Sequence, residues 1–379
     1  MVDLGWKADL RQPLALGSFR NWLKLLRENG GVDPIYRRRA LFVTLASLFT
    51  SPMRMLERAR YGHISRTMPI QEPPVFIIGH WRSGTTHLHN LMAHDRTLGC
   101  VTMFQAIAPE AFLVGERVIK PLLAWAIPPR RLMDNVAQSI DDPLEEEWAL
   151  ANVSPCSFYH YWSFPRTARH YFEKYALFQN VPEGIVTRWK EAYKTVLRKA
   201  TFRAGGRRLL LKNPVNTGRI SLLLDLFPDA KFIHIYPNPY VVFCSALHFY
   251  QKMLSLIHLQ EVSREEIEAD IFLFYTALMR KFWAEKALIP RGNFVEVKFE
   301  DMEADPLAEL RRIYTTLDLP GFADGTPFRA YIAAQRDCRK NSYPLGEEII
   351  EKVNRHWKFA VEAWGYAPPV ATYPPVREA

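Results

Sequence analysis

The stretch "VFIIGHWRSGTTHLHNL", residues 75–91, decides the fold. Four apolar residues, Val75 to Ile78, end at Gly79, a turn of small residues follows, and a helix-like pattern opens at Thr85. A strand, a glycine turn and a helix start form a loop whose backbone amides point at an anion. In the Walker pattern G-x-x-x-x-G-K-[ST], such amides cradle phosphates, a lysine reaches the outer phosphates and a hydroxyl holds magnesium. Here Gly79 and Gly84 keep the spacing, but Thr85 takes the lysine position, Thr86 the hydroxyl position, and Arg82 lies inside the loop. The apparatus for a triphosphate and its metal is missing. A lone glycine turn would read as a plain connector; two hydroxyls at the first helical turn, directly after the apolar run, favour an anion site.

Three more short apolar runs read as buried strands: "RLLLK" (208–212), "KFIHIY" (231–236) and "NFVEVKF" (293–299). Each is followed by a helical pattern, so the expected architecture is α/β, a P-loop-like doubly wound parallel sheet. About 130 residues separate the first two strands, far more than a simple crossover needs. They predict a helical, aromatic-rich insertion at about 105–205, where specificity is expected. Residues 1–70 read as a helical N-terminal extension, and 71–379 as the α/β domain. "SFRNWLKLLRENGG" has an N-cap serine and a glycine stop. A second helix is predicted from Pro34 to about Tyr61, with Arg37, Arg38 and Arg39 before its apolar stretch and Arg54, Arg58 and Arg60 after it.

The 379 residues, 48% of them hydrophobic, suffice for one large domain with insertions or two modest ones. A net charge of +9 and a pI near 9.3 call for an anionic partner: a nucleotide, a membrane surface or an acidic substrate. No basic run or reading motif speaks for nucleic acid. Cys100, Cys156, Cys244 and Cys338 show neither metal-type pairing nor a disulfide framework, which fits a reducing cytoplasm. The start, "MVDLGWKADLRQPLALG", lacks the pattern of a secretory signal. The longest apolar run, "ALFVTLASLF" (40–49), is about half of the roughly 20 residues that a membrane span needs. The 36–61 helix therefore either packs on the sheet domain, the commoner arrangement, or lies in a membrane interface as a peripheral contact.

"RSGTT" following "VFIIG" resembles the sulfotransferases that use 3′-phosphoadenosine 5′-phosphosulfate (PAPS), and the similarity runs over about residues 72–366. It is greatest to bacterial members related in motif to tyrosylprotein and carbohydrate sulfotransferases. The resemblance implies that Arg82, Ser83, Gly84, Thr85 and Thr86 hold the 5′-phosphosulfate of this co-substrate, with no metal. A transferred sulfuryl group carries less charge than a phosphoryl group, so the absent lysine makes sense. "LLLKNPVNTGRI" resembles the family's K-S-P segment and puts Lys212 at a strand end, where parallel-sheet sites form. Its implied role is to stabilise charge on the departing phosphate; a lysine capping a surface strand is the plain alternative. "FEDMEADPLAELRRIYTTLDLP" (299–320) looks like a strand-to-helix passage of the family, with Phe299 for a tyrosine, and reads as structural. In the closing segment, "RKNSYPLGEEIIEKVNRHWKFAVEAWGY", Arg339 and Lys340 are implied to approach the nucleotide phosphates. The family's 3′-phosphate site has an arginine near a strand end and a serine eight positions later. "KFIHIYPNPYVVFCSALHFY" supplies Ser245 but has Pro237 for the arginine, and proline cannot donate a hydrogen bond. Arg219, Arg339 and Lys340 are the candidate substitutes.

A hydroxyl or amine acceptor needs a general base within hydrogen-bond reach. "SIDDPLEEEWALAN" (139–152) resembles the family's P-x-E-D-E stretch, which implies Glu145 as base and Glu147 as its nearest rival. The same residues equally fit a helix start with Asp142 as N-cap, Pro143 at the first position and Glu145 three after the cap. His80, His87 and His89 near the loop read as helix-surface side chains, with a supporting role for one of them as the alternative. "CSFYHYWSF" (156–164) and "DIFLFYTALMRKFW" (270–283) supply either an apolar acceptor pocket or core. The expected reaction is in-line sulfuryl transfer from PAPS. A degenerate relative that only binds a nucleotide or membrane is the alternative that Pro237 favours. A P-loop kinase is the one that the missing lysine disfavours.

Overall fold

The computed structural model describes residues 12–130, 138–335 and 343–370. The four apolar runs become strands β1 (Val75–Ile78), β3 (Arg208–Lys212), β4 (Lys231–Tyr236) and β5 (Phe294–Lys298). A fifth, β2 (Leu98–Gly99), has only two residues, too few for any pattern to announce it. The sheet order is β2-β3-β1-β4-β5, and every pairing is parallel. β1 is buried along its whole length, as a parallel strand covered on both faces must be, hence its unbroken apolar run.

Successive side chains of a strand point to opposite faces. Phe76 and Ile78 join Leu209, Leu211 and Phe232 in one apolar layer, while Val75 and Ile77 join Leu210, Ile233, Ile235 and Val297 in the other. The first layer also holds Trp22 and Leu25 of α1 (Phe19–Glu28) and Val43 of α2 (Arg37–Phe49). Trp22 lies 6.2 Å from Phe164, and Asn21 Nδ2 donates to the Ala151 carbonyl at 3.1 Å.

The single helix predicted from Pro34 to Tyr61 is two. Pro34–Tyr36 forms a 3-10 turn, α2 ends at Phe49, and α3 spans Ser51–Thr67. Pro52 lacks an N–H and fits only the first turn of a new helix, so the ladder restarts there. Among the described residues no helix is long and apolar enough to cross a membrane.

β1 sits in the middle of the sheet with β3 on one side and β4 on the other. In such open sheets ligands bind outside the strand ends where the winding reverses. Ile77 is level with Lys212, and the Asn213 N–H donates to the Ile77 carbonyl at 3.3 Å. The loop after β1 and the lysine ending β3 therefore open on the same crevice.

Candidate active site

Two glycines shape the loop. A Cβ on Gly79 would stand 2.4 Å from the Ile235 carbonyl of β4, so only glycine lets the chain leave β1 so close to its neighbour. Gly84 has φ +85°, and a Cβ there would enter the Phe299 ring at 2.2 Å. Arg82 between them also adopts a left-handed backbone, φ +69°, a conformation uncommon outside glycine. Gly84 is the N-cap of α4 (Thr85–Met92) and, having no side chain, leaves the first-turn amides uncapped by the residue that usually serves them. Ser83 and Thr85 are buried beside that turn.

The crevice brings together Lys212, Thr86 and Glu145, with Arg82 and Ser245 paired beside them. Lys212, 2% exposed, donates to Thr86 Oγ1 at 3.1 Å and forms an ion pair with the Glu145 carboxylate. Arg82 Nε donates to Ser245 Oγ at 3.0 Å, and the guanidinium lies 5.3 Å from the centre of the Phe249 ring. Ser245 and Phe249 sit in α8 (Pro239–Ile257), where Asn238 is the N-cap. Among the described residues, the helices of eight residues or more between α4 and α8 are α5 (Ile119–Ala126), α6 (Glu146–Val153) and α7 (Glu183–Arg203), and α9 (Arg264–Glu285) follows α8.

The predicted helix start at Asp142 does not form. Thr102 bridges Pro143 antiparallel, the Met103 N–H donates to the Asp142 carbonyl at 2.8 Å, and the Leu144 N–H to that of Val101 at 2.8 Å. This pairing holds residues 142–144 extended and delays α6 to Glu146. Glu145 is its N-cap residue but makes no side-chain cap bond, leaving the carboxylate turned to Lys212.

Glu146 and Glu147 face away, into a closed polar network. Glu147 pairs with Arg219 at 2.6 Å and accepts from Ser157 Oγ at 2.8 Å and from the Phe158 N–H at 3.1 Å, with both charged side chains fully buried. Burial alone would raise the Glu147 carboxyl, but the Arg219 guanidinium and the hydrogen bonds from Arg219, Asn213 and Ser157 outweigh it and hold it below its usual range. Glu146 accepts from Tyr193 at 2.7 Å and Asn216 at 2.8 Å, and burial pushes its carboxyl up. Glu147, the rival base, and Arg219, a candidate phosphate cation, are thus paired with each other and neither lines the cleft, each neutralising the other where a lone buried charge would be very costly. Pro237 is buried at the end of β4. Arg339 and Lys340 lie outside the described residues.

The histidines also differ from their expected surface setting. His80 and His89 are fully buried, and burial lowers each to about 3. His89 contacts the Leu210 carbonyl at 3.3 Å, beneath the strand carrying Lys212. Only His87 of the three is partly exposed.

Around the Lys212–Glu145 pair lies a cleft of about 230 Å³. One wall is a run of aromatic contacts: Trp148 to Tyr159 at 4.7 Å, Tyr159 to Trp162 at 6.5 Å and Trp162 to Phe249 at 5.5 Å. Tyr159 and Trp162 come from the aromatic stretch 156–164, whereas no residue of 270–283 lines the cleft. The stretch 270–283 supplies core instead, through Phe272, Phe274 and Tyr275. Trp81, Trp148 and Phe249 escaped the sequence reading. Trp81 lies in the loop itself and Trp148 one helical turn after Glu145, so their spacing from recognised residues was the available signal.

The sequence profile of the sulfotransferase family matches residues 73–324, from just before β1 to beyond β5. The chain belongs to the sulfotransferase family. Two relatives called omega-hydroxy-beta-dihydromenaquinone-9 sulfotransferase Stf3, from Mycobacterium tuberculosis (strain CDC 1551 / Oshkosh) and Mycobacterium bovis (strain ATCC BAA-935 / AF2122/97), are each 32% identical over 357 residues. The alignment covers 93% of this sulfotransferase and 91% of each relative. The crystal structure of sulfotransferase STF9 from Mycobacterium avium superposes with a TM-score of 0.66 at 17% identity, covering 93% of this chain and 97% of that one. That of STF1 from Mycobacterium tuberculosis H37Rv gives 0.59 at 19%, covering 88% of each. These likenesses establish the doubly wound fold with its helical extension and insertion, and the family establishes a sulfuryl-transferring enzyme.

Proposed function

We propose that this sulfotransferase moves the sulfuryl group of PAPS to the hydroxyl of a lipophilic acceptor. One observation carries the reading: Lys212 joins Thr86 and Glu145, residues from three distant segments, at the floor of one aromatic cleft. The amides opening α4, with the hydroxyls of Ser83, Thr85 and Thr86, take the 5′-phosphosulfate, and Arg82 adds positive charge. Ser245 serves the 3′-phosphate, and its bond to Arg82 ties the two ends of the donor site together.

The acceptor oxygen attacks sulfur in line. A new S–O bond forms as the bond from sulfur to the phosphate oxygen breaks, its electron pair stays on the bisphosphate, and the acceptor proton passes to Glu145. Lys212 exchanges its contact with Glu145 for the departing phosphate, which frees the carboxylate for the proton at the stage that needs it. Such transfer depends on positioning and electrostatics rather than on a covalent intermediate.

The acceptor class draws on the aromatic wall and on the menaquinone derivative in the relatives' name. A cleft of about 230 Å³ suits the hydroxylated end of a chain, not a whole polyprenyl quinone. The test is purified protein with labelled PAPS and a panel of ω-hydroxylated isoprenoid quinones, long-chain alcohols, phenols and sugars. Label in the first two classes is expected; label only in sugars would overturn the acceptor, and no nucleotide binding at all would overturn the donor.

A further inference from the structure

We propose that α2, the first half of α3 and α5 form one surface that docks on an anionic lipid bilayer beside the mouth of the cleft. The apolar side chains on these helices point both ways. Inward, Met53 of α3 and Ile119 of α5 meet around Gly115, where a Cβ would lie 3.1 Å from Met53 Sδ and 3.0 Å from Ile119 Cδ1. Outward, α2 presents Leu41, Leu45 and Phe49, the last 87% exposed. On α3, Met55 and Leu56 are likewise exposed, at 71% and 57%. On α5 and the residue before it, Val118, Leu122 and Trp125 recur at helical spacing, with Trp125 78% exposed. So many large apolar side chains in water on neighbouring helices mark an interaction surface rather than ordinary exposure.

Charge selects the partner. Between Ile35 and Thr67 there are seven arginines and one acid, Glu57, which is buried and paired with Lys199. Arg37, Arg38, Arg58, Arg60 and Arg66 are exposed, and from Arg117 to Arg130 there is no acid at all. Exposed apolar helix faces with basic flanks suit the interface of an anionic membrane, where both terms add.

The surface adjoins the cleft. Gln138 and Asp142 line the cleft; the Gln138 side chain donates to the Pro128 carbonyl at 2.8 Å just after α5, and Lys120 of α5 pairs with Asp141 at 2.6 Å. A chain longer than the cleft can thus leave its hydroxylated end at Lys212 and keep its remainder in lipid. That purpose rests on the acceptor proposed above; the membrane contact itself does not.

Flotation of the full chain with vesicles tests it. The wild type is expected to rise with phosphatidylcholine vesicles containing phosphatidylglycerol, and less with phosphatidylcholine alone. Phe49→Asp with Trp125→Asp should cut the floated fraction roughly tenfold or more, and Arg37→Glu with Arg38→Glu should erase the anionic preference. Both variants should still bind 3′,5′-bisphosphoadenosine as the wild type does, which shows that they are folded. Wild-type protein that stays at the bottom of the gradient overturns the proposal, as do variants that float unchanged. A dimer in solution that Phe49→Asp dissociates also overturns it, by assigning the face to a second copy. Flotation by a protein that binds no bisphosphate supports the surface while removing the donor reading.

Discussion

At the residue scale the site turns on one proton and one charge. Glu145 and Lys212 touch, so a change to either alters what the other meets in the cleft. Glu145→Gln keeps the shape but cannot accept a proton, and kcat should fall about 10²–10⁴-fold while bisphosphate affinity stays near that of the wild type. Lys212→Met should lower kcat and bisphosphate affinity together; steady-state kinetics with calorimetry separates the two patterns. Pro237 calls for a different measurement. Pro237→Arg should tighten 3′,5′-bisphosphoadenosine by about one or two powers of ten, from a charge-assisted contact of roughly 1.5–3 kcal/mol, and leave adenosine 5′-phosphate unchanged. Equal gains for both nucleotides would show that the new arginine meets something other than the 3′-phosphate.

At the scale of elements, the loop between β1 and α4 is held by contacts that local sequence cannot display. The spacing of Gly79 and Gly84 was legible and the two bounds of β1 were read correctly, because a fully buried parallel strand leaves an uninterrupted apolar signature. The reason for Gly84 was not legible, since Phe299 comes from the other end of the chain. Gly84→Ala should lower stability by about 1–3 kcal/mol through its left-handed backbone and ring clash, and should weaken bisphosphate binding. Denaturant midpoints read the first effect; adding Phe299→Ala should restore part of it. The alternative helix start at Asp142 does not form for a related reason, because the pairing of residues 142–144 with 101–103 overrides a local capping pattern. Beneath it, Arg219→Met should cost about 3–5 kcal/mol by stranding Glu147, and Glu147→Leu in the same chain should recover much of that loss.

Over the whole molecule, buried titratable groups tie stability to pH. Burial lowers His80 and His89 to about 3, and His160 and His258 to about 4, against an ordinary value of 6.5. Above 6.5 all four are neutral whether the chain is folded or not, and they contribute no pH dependence. Below it the unfolded chain takes up protons that the folded one refuses, so stability falls as pH drops from 6.5 towards 4, by about 1.4 kcal/mol per pH unit for each fully responding histidine. Thermal melts between pH 7.5 and pH 4.5 should therefore show a steep fall below about pH 6, and His160→Gln should make it shallower; a level profile would contradict these burials. The four histidines gave no such sign in the sequence, where a polar residue near a loop reads as surface. The contact between Gly84 and Phe299 also bears on biosynthesis. A ribosome that has released everything up to residue 290 has made β1, Lys212 and Ser245, yet it has not made the Phe299 ring that packs on Gly84. On the proposed donor site, the nascent protein would hold a nucleotide only weakly until that ring emerges, and a fragment clipped before it would keep Lys212 and Glu145 beside a turn that has lost its backing.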